Sequence, residues 1–133
     1  MIRVFIKLLS ISVFMSGCAT YQPGFKQETV EPGTEVLIGE FGYWKKDCTS
    51  RRFDIRIKQK PRHGTLRFGI GSLSIPANPE FGTAGECADK LIESRKIFYV
   101  AGPAFALIDR VSYSVPGGGL FGRKIYDIEI EIK

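Results

Sequence analysis

The chain has 133 residues and a formal net charge of +5, with 44% hydrophobic residues and 25% charged ones. That length suits one domain with its own core, and so evenly mixed a charge usually means only a solvated surface. Three cysteines without a CxxC pair, and a single histidine, exclude the usual zinc arrangements.

The first segment reads "MIRVFIKLLSISVFMSGCAT". Arg3 and Lys7 precede a mostly apolar run from Leu8 to Met15, and small Ser16 and Gly17 precede Cys18. This layout is that of an export signal, residues 1–17, and the apolar run is too short to cross a bilayer. The stretch "MSGC" resembles the bacterial lipobox, with Met15 where leucine is usual. The resemblance implies that Cys18 carries the lipid and holds the protein on a membrane. It also implies a place in the cell envelope, at the outer membrane and facing the periplasm. Lipidation removes Cys18 from an odd cysteine count and leaves Cys48 and Cys87 to pair in an oxidising compartment. Closing that loop stabilises the fold by about 4 kcal/mol on the chain-entropy account. The signal holds two cations and no acid, so 19 − 2 cations against 14 acids leave a net +3 in the remainder. So mild a charge, on an exported and tethered chain, argues against nucleic acid as a partner.

Residues 18–33 mix polar side chains with Pro23, Gly24, Pro32 and Gly33 and read as a lipidated tether, with room for a short edge strand at its end. The folded domain is expected over 34–133. Residues 35–44 form a strand weakened by Gly39 and Gly42. In 51–60, Phe53, Ile55 and Ile57 face one way and Asp54, Arg56 and Lys58 the other, as in a half-buried strand. Pro61 ends the pairing. The alternation resumes with Leu66, Phe68 and Ile70. A helix of one or two turns is expected over 86–94, from the spacing of Ala88, Leu91 and Ile92. Strands follow at 96–100, 109–115 and 123–133. The last two of these flank "PGGGLFG", a hairpin loop. The expectation is an all-β, single antiparallel sandwich or barrel.

Pro61, His63, Gly64, Thr65 and Leu66, then Tyr99, Phe105, Asp109, Val111, Tyr113 and Val115, form a recognisable series. The series resembles bacterial cadherin-like, immunoglobulin-like β-sandwich modules and spans roughly residues 58–132. Ala101 and Leu107 depart from the pattern, where proline and glycine are usual. The resemblance implies an immunoglobulin-like sandwich. Tandem relatives hold calcium between modules, but this chain carries a single module without an acidic loop cluster, so no calcium and no other cofactor is expected.

His63 lies where the chain leaves a proline-marked turn and enters a strand, and it is expected to be a turn residue. No nucleophile or metal co-ligand is nominated beside it. No GxSxG, paired His and carboxylate, or phosphate-cradling loop is present, so no catalytic residue is expected. Two surfaces remain as candidates. Leu120 and Phe121 stand at the tip of a glycine-rich hairpin, either as an exposed contact pair or folded back on the core. Lys45, Lys46, Arg51, Arg52, Arg56, Lys58, Lys60 and Arg62, interleaved with Tyr43 and Trp44, make a basic surface. It suits an anionic envelope polymer or an envelope protein, unless it is neutralised by Glu129 and Glu131 or merely solvated. The function expected is a non-catalytic, lipid-anchored binding or structural module. The alternative is an inhibitor of an envelope-directed enzyme such as lysozyme.

Overall fold

The computed structural model describes residues 24–77, 84–117 and 122–133. Cys18, Leu120 and Phe121 lie outside the described residues. The strands are β1 (Phe25–Val30), β2 (Glu35–Phe41), β3 (Arg56–Gln59), β4 (Gly64–Ser74), β5 (Leu91–Ala101), β6 (Leu107–Pro116) and β7 (Arg123–Ile132). A single turn of helix, α1 (Ala84–Cys87), precedes β5.

Two sheets face each other, one ordered β1-β7-β6-β3 and the other β2-β5-β4. Lettered A to G along the chain, strands C, F and G share one sheet and B, E and D the other. That is the partition of an immunoglobulin-like sandwich. The expected fold class is therefore present, with one departure from an antiparallel arrangement: β1 joins the C-F-G sheet and runs parallel to β7. β1 is the edge strand for which the tether left room, so the sandwich reaches back to Phe25.

The alternation seen in β6 and β7 has a simple cause. Val111, Tyr113 and Val115 on one strand, and Ile128, Ile130 and Ile132 on the other, all point to the interior. There they meet Ile38, Ile97, Tyr99 and Ala101 of the second sheet, and Val30 closes the edge. Each such aliphatic side chain contributes about 1.5–3 kcal/mol on burial.

Three tyrosine hydroxyls bridge the sheets. Tyr99 of β5 donates to Asp109 Oδ2 of β6 at 2.7 Å. Tyr113 of β6 donates to the Ile38 carbonyl of β2 at 2.8 Å. Tyr43, just past β2, donates to the Pro116 carbonyl at 2.6 Å. Gly39, expected only to weaken β2, makes one bridge possible. A Cβ there would overlap the Tyr113 hydroxyl and stand 2.9 Å from the Phe41 ring.

The helix expected over 86–94 is not formed. α1 ends at Cys87, Asp89 turns through a positive φ of 65°, and Leu91 to Ser94 belong to β5. The spacing of Ala88, Leu91 and Ile92 suits a helix locally. Against it stands an eleven-residue ladder with β4, in which Leu73 pairs with Ile92 and Ser74 with Leu91.

That β4–β5 ribbon buries opposite faces along its length. Near Leu66, Ile97 and Tyr99 its inner face meets the sandwich core. Farther out, Leu73 and Ile92 of the other face pack with Ile75, Cys87, Trp44 and Cys48 into a second, smaller core. Ile70, expected to continue the inward line of Leu66, lies opposite Arg95 beyond the change of face and is 72% exposed. Phe68, expected to do the same, lies opposite buried Ile97 but on the outermost strand, and is 54% exposed.

Candidate functional site

The turn that enters β4 is organised by a buried carboxylate. Asp109 is 2% exposed. Its Oδ1 accepts the amides of Arg62 and Arg110, each at 2.9 Å, and its Oδ2 accepts the His63 amide at 2.9 Å besides the Tyr99 hydroxyl. Burial pushes this carboxyl up, but the amide of Arg62, the Tyr99 hydroxyl and the amides of His63 and Arg110 outweigh it and hold it below the usual carboxylate range. Burial and the neighbouring carboxylate push the Tyr99 hydroxyl far up. His63 takes part through its backbone: its amide binds Asp109 and its carbonyl accepts the Gly102 amide at 2.9 Å. Its side chain is exposed. Gly64 follows because a Cβ there would collide with the Val100 carbonyl and lie 2.6 Å from the Tyr99 ring. These bonds and the close approach at Gly64 fix the turn that leads into β4.

The basic surface rests on a second construction. Between β2 and β3 the chain folds back on itself. The Lys45 amide donates to Thr49 O at 2.9 Å, Cys48 N to Lys45 O at 2.9 Å, and Arg51 N to Tyr43 O at 2.8 Å. Asp47 accepts the Thr49 hydroxyl at 2.6 Å and its amide at 3.2 Å, and these bonds hold its carboxyl below the ordinary range. Cys48, at a positive φ of 67°, is bonded to Cys87 with 5.2 Å between their Cα atoms. The Glu93 amide donates to Ser50 Oγ at 2.8 Å. A compact hairpin, fastened to the β4–β5 ribbon, thus presents Lys45 and Lys46 and leads into Arg51 and Arg52.

All eight cations of the strip, Lys45, Lys46, Arg51, Arg52, Arg56, Lys58, Lys60 and Arg62, are exposed. The expected alternative, neutralisation by Glu129 and Glu131, is not what is found. Glu129 meets Arg110 and Glu131 meets Lys133. Of the strip, Arg56 alone forms an ion pair among the described residues, with Asp54 at 2.8 Å. The interleaved aromatics are engaged inward. Tyr43 packs at a tilt of 60° against Phe53 with ring centres 4.6 Å apart, and Trp44 packs on the small core. The strip therefore offers charge without a stacking platform.

Sequence reasoning missed Arg123. Its Nη1 reaches Asp54 Oδ1 at 2.8 Å, its Nη2 the carbonyls of Ser114 and Asp54, and its Nε Ser114 Oγ at 3.0 Å. The Arg123 and Arg56 guanidiniums hold the Asp54 carboxyl low. Arg123 thereby ties the basic segment to β6 and β7. Nothing in "FGRKIYD" marks this arginine, because its partners come from two distant segments.

Among the described residues no cluster of metal-ligating side chains occurs. No protein-family model matches this chain, and no curated protein matches it. Among solved structures it is similar to the solution structure of amebosin, at 6% identity and a TM-score of 0.42, covering 84% of this chain and 100% of that one. A likeness at that level carries no argument about function.

Proposed function

We propose that this protein is a lipid-anchored component of the bacterial cell envelope whose cadherin-like module binds without catalysis, and that its ligand is an anionic envelope polymer. The observation that carries the reading is the basic strip. It is exposed and almost free of carboxylate partners among the described residues, and its first members, Lys45 and Lys46, sit on a disulfide-fastened hairpin that leads into Arg51 and Arg52. Where the backbone is already fixed, as at Lys45 and Lys46, binding phosphates or carboxylates orders only the side chains, so more of the Coulomb attraction becomes affinity. The lipobox-like "MSGC" supports the anchor at Cys18, and the disulfide agrees with an oxidising compartment. Ala19 after the cysteine agrees with an outer-membrane address facing the periplasm.

Co-sedimentation of the full chain with lipopolysaccharide aggregates and with peptidoglycan tests the ligand. Binding is expected to one of them, to fall with salt, and to be lost in Arg51→Glu/Arg52→Glu. Binding unchanged in that variant, or none to either polymer, removes the proposal. Release of Cys18→Ser from membranes tests the anchor separately.

The hairpin also favours a second reading. A rigid projecting loop is what an inhibitor inserts into an enzyme cleft. Loss of lysozyme activity on adding the protein, relieved by Lys46→Ala, is the expected mark of that role.

A further inference from the structure

We infer that β4 is a dimerisation edge, along which a second copy of this chain adds antiparallel so that the two three-stranded sheets become one. This inference does not rest on the anchor or on the basic strip.

β4 is the outermost strand of its sheet, and no described strand lies beyond it. The His63 carbonyl and the Ile75 amide both point to β5, accepting from Gly102 and donating to Lys90. By alternation, the odd-numbered residues between them also bond to β5. The amides and carbonyls of Gly64, Leu66, Phe68, Ile70, Ser72 and Ser74 therefore face outward, and among the described residues none has a partner.

Edge strands are ordinarily protected by charge, proline, shortness or a bulge. β4 has eleven residues, no proline and no register shift against β5. Its one charged residue, Arg67, is drawn away from the edge. The guanidinium lies 4.0 Å above the Phe98 ring and reaches across β5 to Glu35, at 2.9 and 2.7 Å.

What remains at the edge is apolar and self-complementary. A two-fold axis through Gly69 overlaps the whole strand and matches outward-facing residue with outward-facing residue throughout. It sets Phe68 opposite Ile70 of the second copy, and Ile70 opposite its Phe68. Two side chains that are 54% and 72% exposed in one chain thus become a cluster of four. A hollow lined by Ile55, Phe68, Gly69, Ile70 and Arg95 borders the edge and gives that cluster room. The strand pair supplies about a dozen inter-chain hydrogen bonds. An extended peptide from another protein could use the same backbone groups, but the pairing of Phe68 with Ile70 about Gly69 is a property of this sequence meeting itself.

Gly69 falls in a non-hydrogen-bonded pair on the axis, where Cα atoms stand about 4.5 Å apart, within reach of a disulfide. In cells producing the full chain, Gly69→Cys should give a band of doubled mass on non-reducing gels, its cross-link mapped to position 69. Wild type, with Cys18, Cys48 and Cys87 in place, and Ser72→Cys should not. Adding Ile70→Lys to Gly69→Cys should abolish the band while leaving the melting temperature near that of Gly69→Cys alone. Sedimentation of the detergent-extracted wild type should give a dimer, and of Ile70→Lys a monomer. A wild type that stays monomeric, a dimer indifferent to Ile70→Lys, or cross-linking at Ser72→Cys in place of Gly69→Cys overturns the inference.

Discussion

Tyr99 and Asp109 join the two sheets through a buried hydrogen bond of 2.7 Å, made at the point where the chain turns into β4. Asp109 accepts four donors with two oxygens, three of them backbone amides. Asn at this position keeps the shape but sets an NH2 group against two of those donors. Asp109→Asn is expected to cost about 3 kcal/mol, and Tyr99→Phe less, because its loss leaves the three amides satisfied. Urea denaturation of the two variants checks the order. Equal midpoints for wild type and Asp109→Asn would contradict it.

The same carboxylate sets an acid limit. Its folded-state pKa lies below that of the unfolded chain, so the ionised form is favoured by folding. The resulting stability is complete above the unfolded carboxylate value, near pH 4, and disappears as the pH falls through the lower folded value. Unfolding free energies measured from pH 6 to pH 2 should fall less steeply in Asp109→Asn than in wild type. Parallel curves would show that other carboxylates set the acid limit.

Reducing Cys48–Cys87 opens a loop whose ends are separated by 39 positions. Cys87→Ala should cost about 4 kcal/mol. The loss should be felt first in the small core. Hydrogen exchange is expected to speed up at Cys48 and Arg51 while Ile130 stays protected until global unfolding. Uniform acceleration over both cores would show that they unfold as one unit.

His63→Asn should leave the melting temperature unchanged, since the backbone at this position makes the contacts and the side chain is exposed. Gly64→Ala, one residue on, should be strongly destabilising, because its Cβ has no space beside Tyr99. Similar melting temperatures for the two variants would overturn this account of the turn.

Tyr113→Phe removes the donor to the Ile38 carbonyl in the centre of the core. A cost of about 1–3 kcal/mol is expected, with the ring packing retained. Thermal melting checks it, and a variant as stable as wild type would assign the bridge no net value.

The parts of the fold legible in the sequence were those whose two faces meet different surroundings. Ile128, Ile130 and Ile132 alternate with acids because one side of β7 is core and the other is water. An all-β sandwich or barrel follows from such patterns, and the choice of the sandwich from the resemblance to cadherin-like modules. The pairing of Cys48 with Cys87 follows from cysteine parity once the lipobox-like motif sets Cys18 aside. Where burial depends on a distant segment, the pattern misled. Ile70 looks like an inward residue, but beyond it the ribbon is covered on its other face, at Leu73 and Ile92, by the disulfide-fastened hairpin, and Phe68 stands on the outermost strand of its sheet. Leu91 and Ile92 suit a helix until β4 offers them a ladder. Of the candidate site, the cations were legible individually. Their freedom from Glu129 and Glu131 was not, because that depends on Arg110 and Lys133 claiming those acids first.

The parallel pairing of β1 with β7 bears on how the domain responds to force. β1 lies alongside β7 from Phe25, opposite Asp127, to Val30, opposite Ile132. When the chain ahead of Phe25 and the Ile132 end of β7 are drawn apart, the load runs along the axis of β1, across the direction of its hydrogen bonds. The bonds are then loaded together in shear and cannot open one at a time, as a hairpin does when its two ends are drawn apart. A strand that contributes only Val30 to the core can thus act as the clamp that resists extraction of the rest.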